Sequence, residues 1–190
     1  MVSAIYGILL ASRKKMDFVG LFAVASAVAF GGGTIRDLCL DRTPLFWIEN
    51  SHYTIIVFGL AMAGALAPGL MLWLEKYLAL PDALGLGLFS VVGTGYALEA
   101  GTPLFVAALI GVITGAFGGV IADVICNELP SIFRPAPLYA SCSFAGAWVY
   151  ILGEKAGWNH SITLALSLGT VVFFRLASIK WNWRLPSVEH

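Results

Sequence analysis

The sequence predicts an all-α integral membrane protein, with seven transmembrane helices arranged as two inverted three-helix repeats plus a seventh helix. Three observations predict it. The 190 residues are 59% hydrophobic and 12% charged, with a mean hydropathy of +0.86, far more apolar than the roughly 45–50% of an ordinary soluble domain. Apolar segments near the ~20 residues that cross a bilayer recur between short polar breaks. A thirteen-residue motif also returns, degenerate, 86 residues further along the chain.

The first apolar segment, about 1–12, is short for a crossing at ~1.5 Å per residue, and is read as truncated, tilted or supported by neighbours. It lacks a basic leader and is followed by Arg13-Lys14-Lys15, so no cleavable signal is expected. The second, 17–40, carries three consecutive glycines and two charges before Asp41-Arg42-Thr43-Pro44; the third, 53–76, ends on Glu75-Lys76. Pro81-Asp82 precedes the fourth, 83–98, and Glu99 to Pro103 precede the fifth, 103–126. Asn127 to Pro130 lead to the sixth, 138–153, and Gly153-Glu154-Lys155 to the seventh, 160–179. Ser187 to His190 have the look of a cloning remnant running into a tag.

The repeat overlays GGTIRDLCLDRTP (Gly32 to Pro44) on GGVIADVICNELP (Gly118 to Pro130) and pairs Asp37 with Asp123. The register extends to Gly7 with Gly93, Tyr53 with Tyr139 and Phe58 with Phe144. The organisation is therefore 1–80 for the first repeat, 81–156 for the second and 157–186 for the seventh helix and tail. Three spans per repeat is an odd number, so the second copy enters from the opposite side, an arrangement that places a transport path at the repeat interface. With seven spans, Arg13, Lys14, Lys15, Lys76, Arg134, Lys180 and Arg184 fall on one side, and Arg42 and Lys155 on the other. The positive-inside rule then puts the N-terminus outside and the C-terminus in the cytoplasm of a bacterial or archaeal cell (inner) membrane. Trp47, Trp73, Trp158, Trp181 and Trp183 fall near span ends, as interfacial anchors do.

Lys and Arg equal Asp and Glu at 11 each, which leaves no charge argument for a nucleic-acid partner. Cys39, Cys126 and Cys142 form no metal or disulfide spacing and are read as packing residues. No H-E-x-x-H or G-x-S-x-G occurs, and there is no dense acidic or histidine cluster, so no enzyme, metal or cofactor is expected. What remains is Gly31-Gly32-Gly33 in the second span and Gly115-Ala116-Phe117-Gly118-Gly119 in the fifth. Each glycine costs about 1 kcal/mol against alanine inside a helix, so a break or kink is expected at both, sheltered from lipid by protein or water. The alternative is that the glycines let helices approach closely. Arg36, Asp37 and Asp123 are costly in a membrane and should face a cavity or pair, with Arg36 and Asp123 candidates to meet across the axis. Near the span ends, an anchoring role is open to them as well.

The string GGGTIRDLCLDRTPLFWI, preceded by SRKKMDFVGLF and echoed by GGVIADVICNELP, resembles the bacterial trimeric intracellular cation (TRIC) channels, a family also described as a duplicated putative glycine transporter domain. The resemblance implies seven helices, a homotrimer with a pore in each protomer, and conduction of monovalent cations, chiefly potassium. It assigns Gly31, Gly32, Gly33, Thr34, Arg36 and Asp37 to one pore wall and Gly118, Gly119 and Asp123 to the other. Two departures stand out: Ala122 occupies a position where the family's second motif usually has arginine, and members usually carry several more residues ahead of Val2.

The expected function is a passive channel in which carbonyls and the hydroxyls of Thr34 and Thr114 replace part of an ion's hydration. The two aspartates would concentrate cations, and Arg36 would set conductance or gate. The competing expectation is a secondary transporter of glycine or another small zwitterion, using the same helices. Membrane lipids complete the expected partners.

Overall fold

The computed structural model describes residues 1–186; Ser187 to His190, where the cloning remnant is expected, lie outside the described residues. In chain order the helices are α1 (Val2–Arg13), α2 (Phe18–Cys39), α3 (Phe46–Glu49), α4 (His52–Leu66), α5 (Pro68–Leu74), α6 (Ala79–Glu99), α7 (Leu104–Ile125), α8 (Ala140–Lys155) and α9 (His160–Trp181). Short 3-10 turns follow α5 and α7. Of these, α2, α7 and α9 are each long and apolar enough to cross a membrane, and α1 and α4 are shorter apolar helices.

The packing is that of a protein immersed in lipid. Small and hydroxylated side chains fill the interior: Ala4, Ala25, Ala61, Ala83, Ser90, Thr94, Ala147 and Ser167 have no exposed surface. Large apolar groups such as Val19, Ile55, Leu66, Phe105 and Phe173 point outward. Small residues let backbones close up, and buried hydroxyls bond within the bundle, as Ser90 Oγ does to Ser143 Oγ at 2.6 Å.

The two copies of the motif build the same backbone. At the offset of 86, the Arg42 amide donates to the Asp37 carbonyl and the Glu128 amide to the Asp123 carbonyl, each at 2.8 Å. Asp41 and Asn127, residues of one equivalent position, take φ of 51° and 55°, a left-handed turn that suits their short polar side chains. α2 and α7 lie side by side, with Gly32 against the Thr114 carbonyl and Gly118 against that of Val28. Because 32 corresponds to 118 and 28 to 114, the crossing is self-complementary, and rising numbers on one helix meet falling numbers on the other. The pair is antiparallel about a pseudo-two-fold axis.

Three expectations are corrected. α2 and α7 run without interruption through both glycine motifs. The glycines serve the alternative purpose, since a Cβ at Gly118 would stand 2.5 Å from the Val28 oxygen. The third span divides instead: α4 stops at Leu66, and Pro68, which cannot continue the amide ladder, begins α5. α6 starts at Ala79, ahead of the expected 83, because Pro81 falls in its first turn, where no amide partner is needed.

Candidate functional site

α2 ends in a buried ion pair. Arg36 and Asp37 are 3% and 1% exposed, and Arg36 donates to Asp37 Oδ1 from Nε at 2.9 Å and Nη2 at 2.7 Å. The other carboxylate oxygen accepts the Phe46 amide at 2.9 Å, which fastens the loop after α2 back onto the helix. Arg42 Nε stands 3.9 Å from the same carboxylate. Tyr96, in the last turns of α6, lies under both cations, its ring 4.4 Å from the Arg36 guanidinium carbon and 4.1 Å from that of Arg42. Two arginines thus gather at one carboxylate in this cluster. Arg36, Phe46 and Tyr96 also line a cavity of about 310 Å³ between α2, α4 and α6.

The remaining candidates on α2 build this end. Gly33 makes room for the Phe46 ring, and Gly31 faces Ile121, whose Cδ1 lies 2.7 Å from where its Cβ would stand. Thr34 Oγ1 accepts the Trp47 indole N–H at 3.0 Å. Gly32 and Gly118 hold the crossing. Thr114 is 2% exposed; its hydroxyl donates to the Ile110 carbonyl at 2.6 Å and fits against Gly93 of α6.

Asp123 and Arg36 do not meet, contrary to expectation. They end different helices of an antiparallel pair, and so sit at opposite ends of the bundle. Asp123 Oδ2 accepts the Ser131 amide at 3.0 Å, the counterpart of the Asp37 to Phe46 bond without its arginine. Close by is a cluster the sequence reading passed over. Asp82, in the first turn of α6, accepts Arg175 Nε of α9 at 3.0 Å and the Tyr139 hydroxyl at 3.0 Å. The Arg175 guanidinium carbon is 4.5 Å from the Tyr139 ring centre. Gly119 faces this tyrosine, its would-be Cβ 3.8 Å from the hydroxyl. A lone arginine in an apolar 22-residue helix was the available signal. Fourteen residues of α6 separate Asp82 from Tyr96, so the two polar ends lie about 21 Å apart along it. The α2 and α7 backbones touch between them.

A family model described as "Glycine transporter" matches residues 1–68 and 79–155. The UPF0126 membrane protein of Vibrio cholerae serotype O1 is 35% identical over 189 residues, covering 98% of this chain and 78% of its own. The UPF0126 inner membrane protein YadS of Escherichia coli K12 is 36% identical over 191 residues, with 98% and 90% covered. Among solved structures, a chain from "Structural basis for conductance through TRIC cation channels" superposes with a TM-score of 0.92 at 28% identity, covering 100% of this chain and 93% of that one. The TRIC trimeric intracellular cation channel orthologue from Rhodobacter sphaeroides superposes at 0.89 and 32% identity, with 96% and 93% covered.

Proposed function

Because the chain belongs to the Glycine transporter family, we propose that it is a bacterial membrane channel, not an enzyme, that conducts monovalent cations, chiefly potassium. The observation that carries this reading is the likeness over its whole length to a solved TRIC cation channel. In this reading it works as a homotrimer, each protomer holding its own path between α2 and α7, with seven crossings, an outer N-terminus and a cytoplasmic C-terminus.

Two features of the molecule support a path closed in this conformation. At mid-bundle, Gly32 and Gly118 bring backbone against backbone, which leaves no width for an ion, so conduction requires the crossing to slide or part. Conduction would then use the carbonyls exposed along the parted helices, since the Thr34 and Thr114 hydroxyls are engaged with Trp47 and Ile110. At the α2 end, Asp37 is neutralised by Arg36, so it does not act as a bare cation attractor while that pair holds. The Arg36 guanidinium lines the adjoining cavity, where a fixed cation opposes passing cations, which makes Arg36 the gating candidate at that end.

The family's description and the inverted repeat favour a second reading, carriage of glycine or a similar zwitterion. Purified protein in potassium-loaded liposomes separates the two. The channel reading expects potassium efflux that a membrane potential accelerates and that unlabelled glycine leaves unchanged. Saturable glycine counterflow without such efflux would replace it with the carrier.

A further inference from the structure

The cavity beside Arg36 has the make-up of a ligand pocket. Its volume of about 310 Å³ reaches the lower end of small-molecule sites, which are mostly apolar with a few placed polar groups. Phe30 of α2, Val57 of α4, and Phe89 and Val92 of α6 supply apolar walls, and Arg36 is the one charged residue among the described lining residues. Its Nε and Nη2 donate to Asp37 Oδ1. A guanidinium carries more N–H donors than these bonds use, and the others meet no acceptor among the described residues. The Phe46 and Tyr96 ring centres lie 5.3 and 4.4 Å from the guanidinium carbon, so the charge is held among groups of low polarity, where its attraction for an anion is strong. The local fold does not require this cation. In the second repeat the equivalent position is the buried Ala122, and Asp123 still accepts the Ser131 amide as Asp37 accepts that of Phe46. Burying a guanidinium with unspent donors is costly, and the symmetric end of the molecule is built without one.

We propose that this cavity binds a small amphipathic monoanion, with its carboxylate on the unspent edge of Arg36 and a ring-sized apolar body against Phe30, Val57 and Phe89. Charge complementarity selects an anion, and the planar fork of a guanidinium receives a carboxylate in two parallel bonds. The apolar walls select an organic acid over phosphate or chloride, whose hydration they do not replace. The pocket stands on its own geometry, while its consequence for conduction rests on the channel reading above. There, a bound carboxylate offsets the Arg36 charge, and cations pass more readily.

The probe is para-trifluoromethylbenzoate, followed by the broadening of its fluorine NMR line with protein in nanodiscs and read against empty nanodiscs. The neutral para-trifluoromethylbenzamide keeps nearly the same shape without the charge. It should bind at least about tenfold more weakly, because hydrogen bonds between charged groups are lost. Val92→Trp fills the cavity from its rim, where Val92 is 43% exposed, and leaves the ion pair in place; it should abolish binding. In the Arg36→Gln, Asp37→Asn double variant both charges go together, and acid and amide should bind alike. Equal binding of acid and amide by wild type would overturn the site, as would unchanged binding by Val92→Trp. Should either variant not assemble, the comparison of acid with amide on wild type carries the test. Tighter binding of palmitate in competition would also overturn the proposal and give the cavity to a fatty acid of the bilayer. In planar bilayers, the acid added on the Arg36 side should raise the potassium current of wild type and leave that of the double variant unchanged. A wild-type current that stays level or falls would overturn the charge offset. Selective binding with no cation current in any sample would keep the pocket and remove the channel reading instead.

Discussion

Alanine at position 32 is the sharpest perturbation of the helix crossing. A methyl group there would overlap the Thr114 carbonyl oxygen and lie 2.9 Å from its carbon and 3.3 Å from its Cα. These are backbone atoms, which no rotamer change can move aside, so α2 and α7 must separate. Overpacking of this kind costs about 1–3 kcal/mol, and alanine returns about 1 kcal/mol of helix propensity. With the obstacle rigid, the upper part of the range applies, for a net loss of about 2 kcal/mol. For a chain of this length that lowers Tm by about 4–8 °C. Gly59→Ala is the control, since nothing lies within 4 Å of the added carbon; it keeps the propensity gain and should melt about 2–4 °C above wild type. Melting in detergent followed by tryptophan fluorescence reads both. A Gly32→Ala protein that melts with or above Gly59→Ala would refute the close-crossing role of the glycine.

Asp37→Asn leaves Arg36 charged and buried without its counter-ion, a loss of about 3–5 kcal/mol. Asp123→Asn, whose bonding partner is the neutral Ser131 amide, should cost about 1 kcal/mol, and the same melting assay ranks the pair. Arg36→Ala should raise cation flux through protein that still assembles, and unchanged flux would remove the arginine from gating. Thr34→Val deprives the Trp47 indole of its acceptor and should shift that tryptophan's emission while costing about 1 kcal/mol. The Lys14 to Glu128 contact joins the turn after α1 to the turn after α7, and this hydrogen bond, with the lysine's charge, lowers the Glu128 carboxyl below its ordinary 4.5. A folded value below the unfolded one gives stability that is present above about pH 4.5 and fades as pH falls through the folded value. The Tm difference between wild type and Glu128→Gln should therefore be small, present at neutral pH and gone in acid.

The long apolar helices were legible because length and hydropathy alone define them: 17–40, 103–126 and 160–179 are α2, α7 and α9 within two residues at each end. Pro68 was a visible stop signal inside 53–76, overridden by the run of apolar residues on either side. The glycine motifs were found, but their purpose was not decidable from spacing. Gly31-Gly32-Gly33 weakens a helix by propensity, and only the neighbours that cover those positions, α7 at Gly31 and Gly32 and Phe46 at Gly33, explain why the helix persists. Arg36 with Asp37 could be read from adjacency, whereas Tyr96 and Tyr139 could not, since an aromatic ring carries no sequence mark of the cation it will meet. Arg175 was readable as a buried cost in α9, but its partner Asp82 lies 93 residues away, a pairing only the fold reveals.

The central claim is conduction of cations through the protomer, and single-channel recording in a planar bilayer under a potassium gradient tests it most directly. Discrete current steps that reverse near the potassium equilibrium potential, with altered occupancy in the Arg36→Ala variant, are the predicted result. A bilayer that stays silent, while liposomes of the same preparation accumulate glycine with saturation, would contradict it.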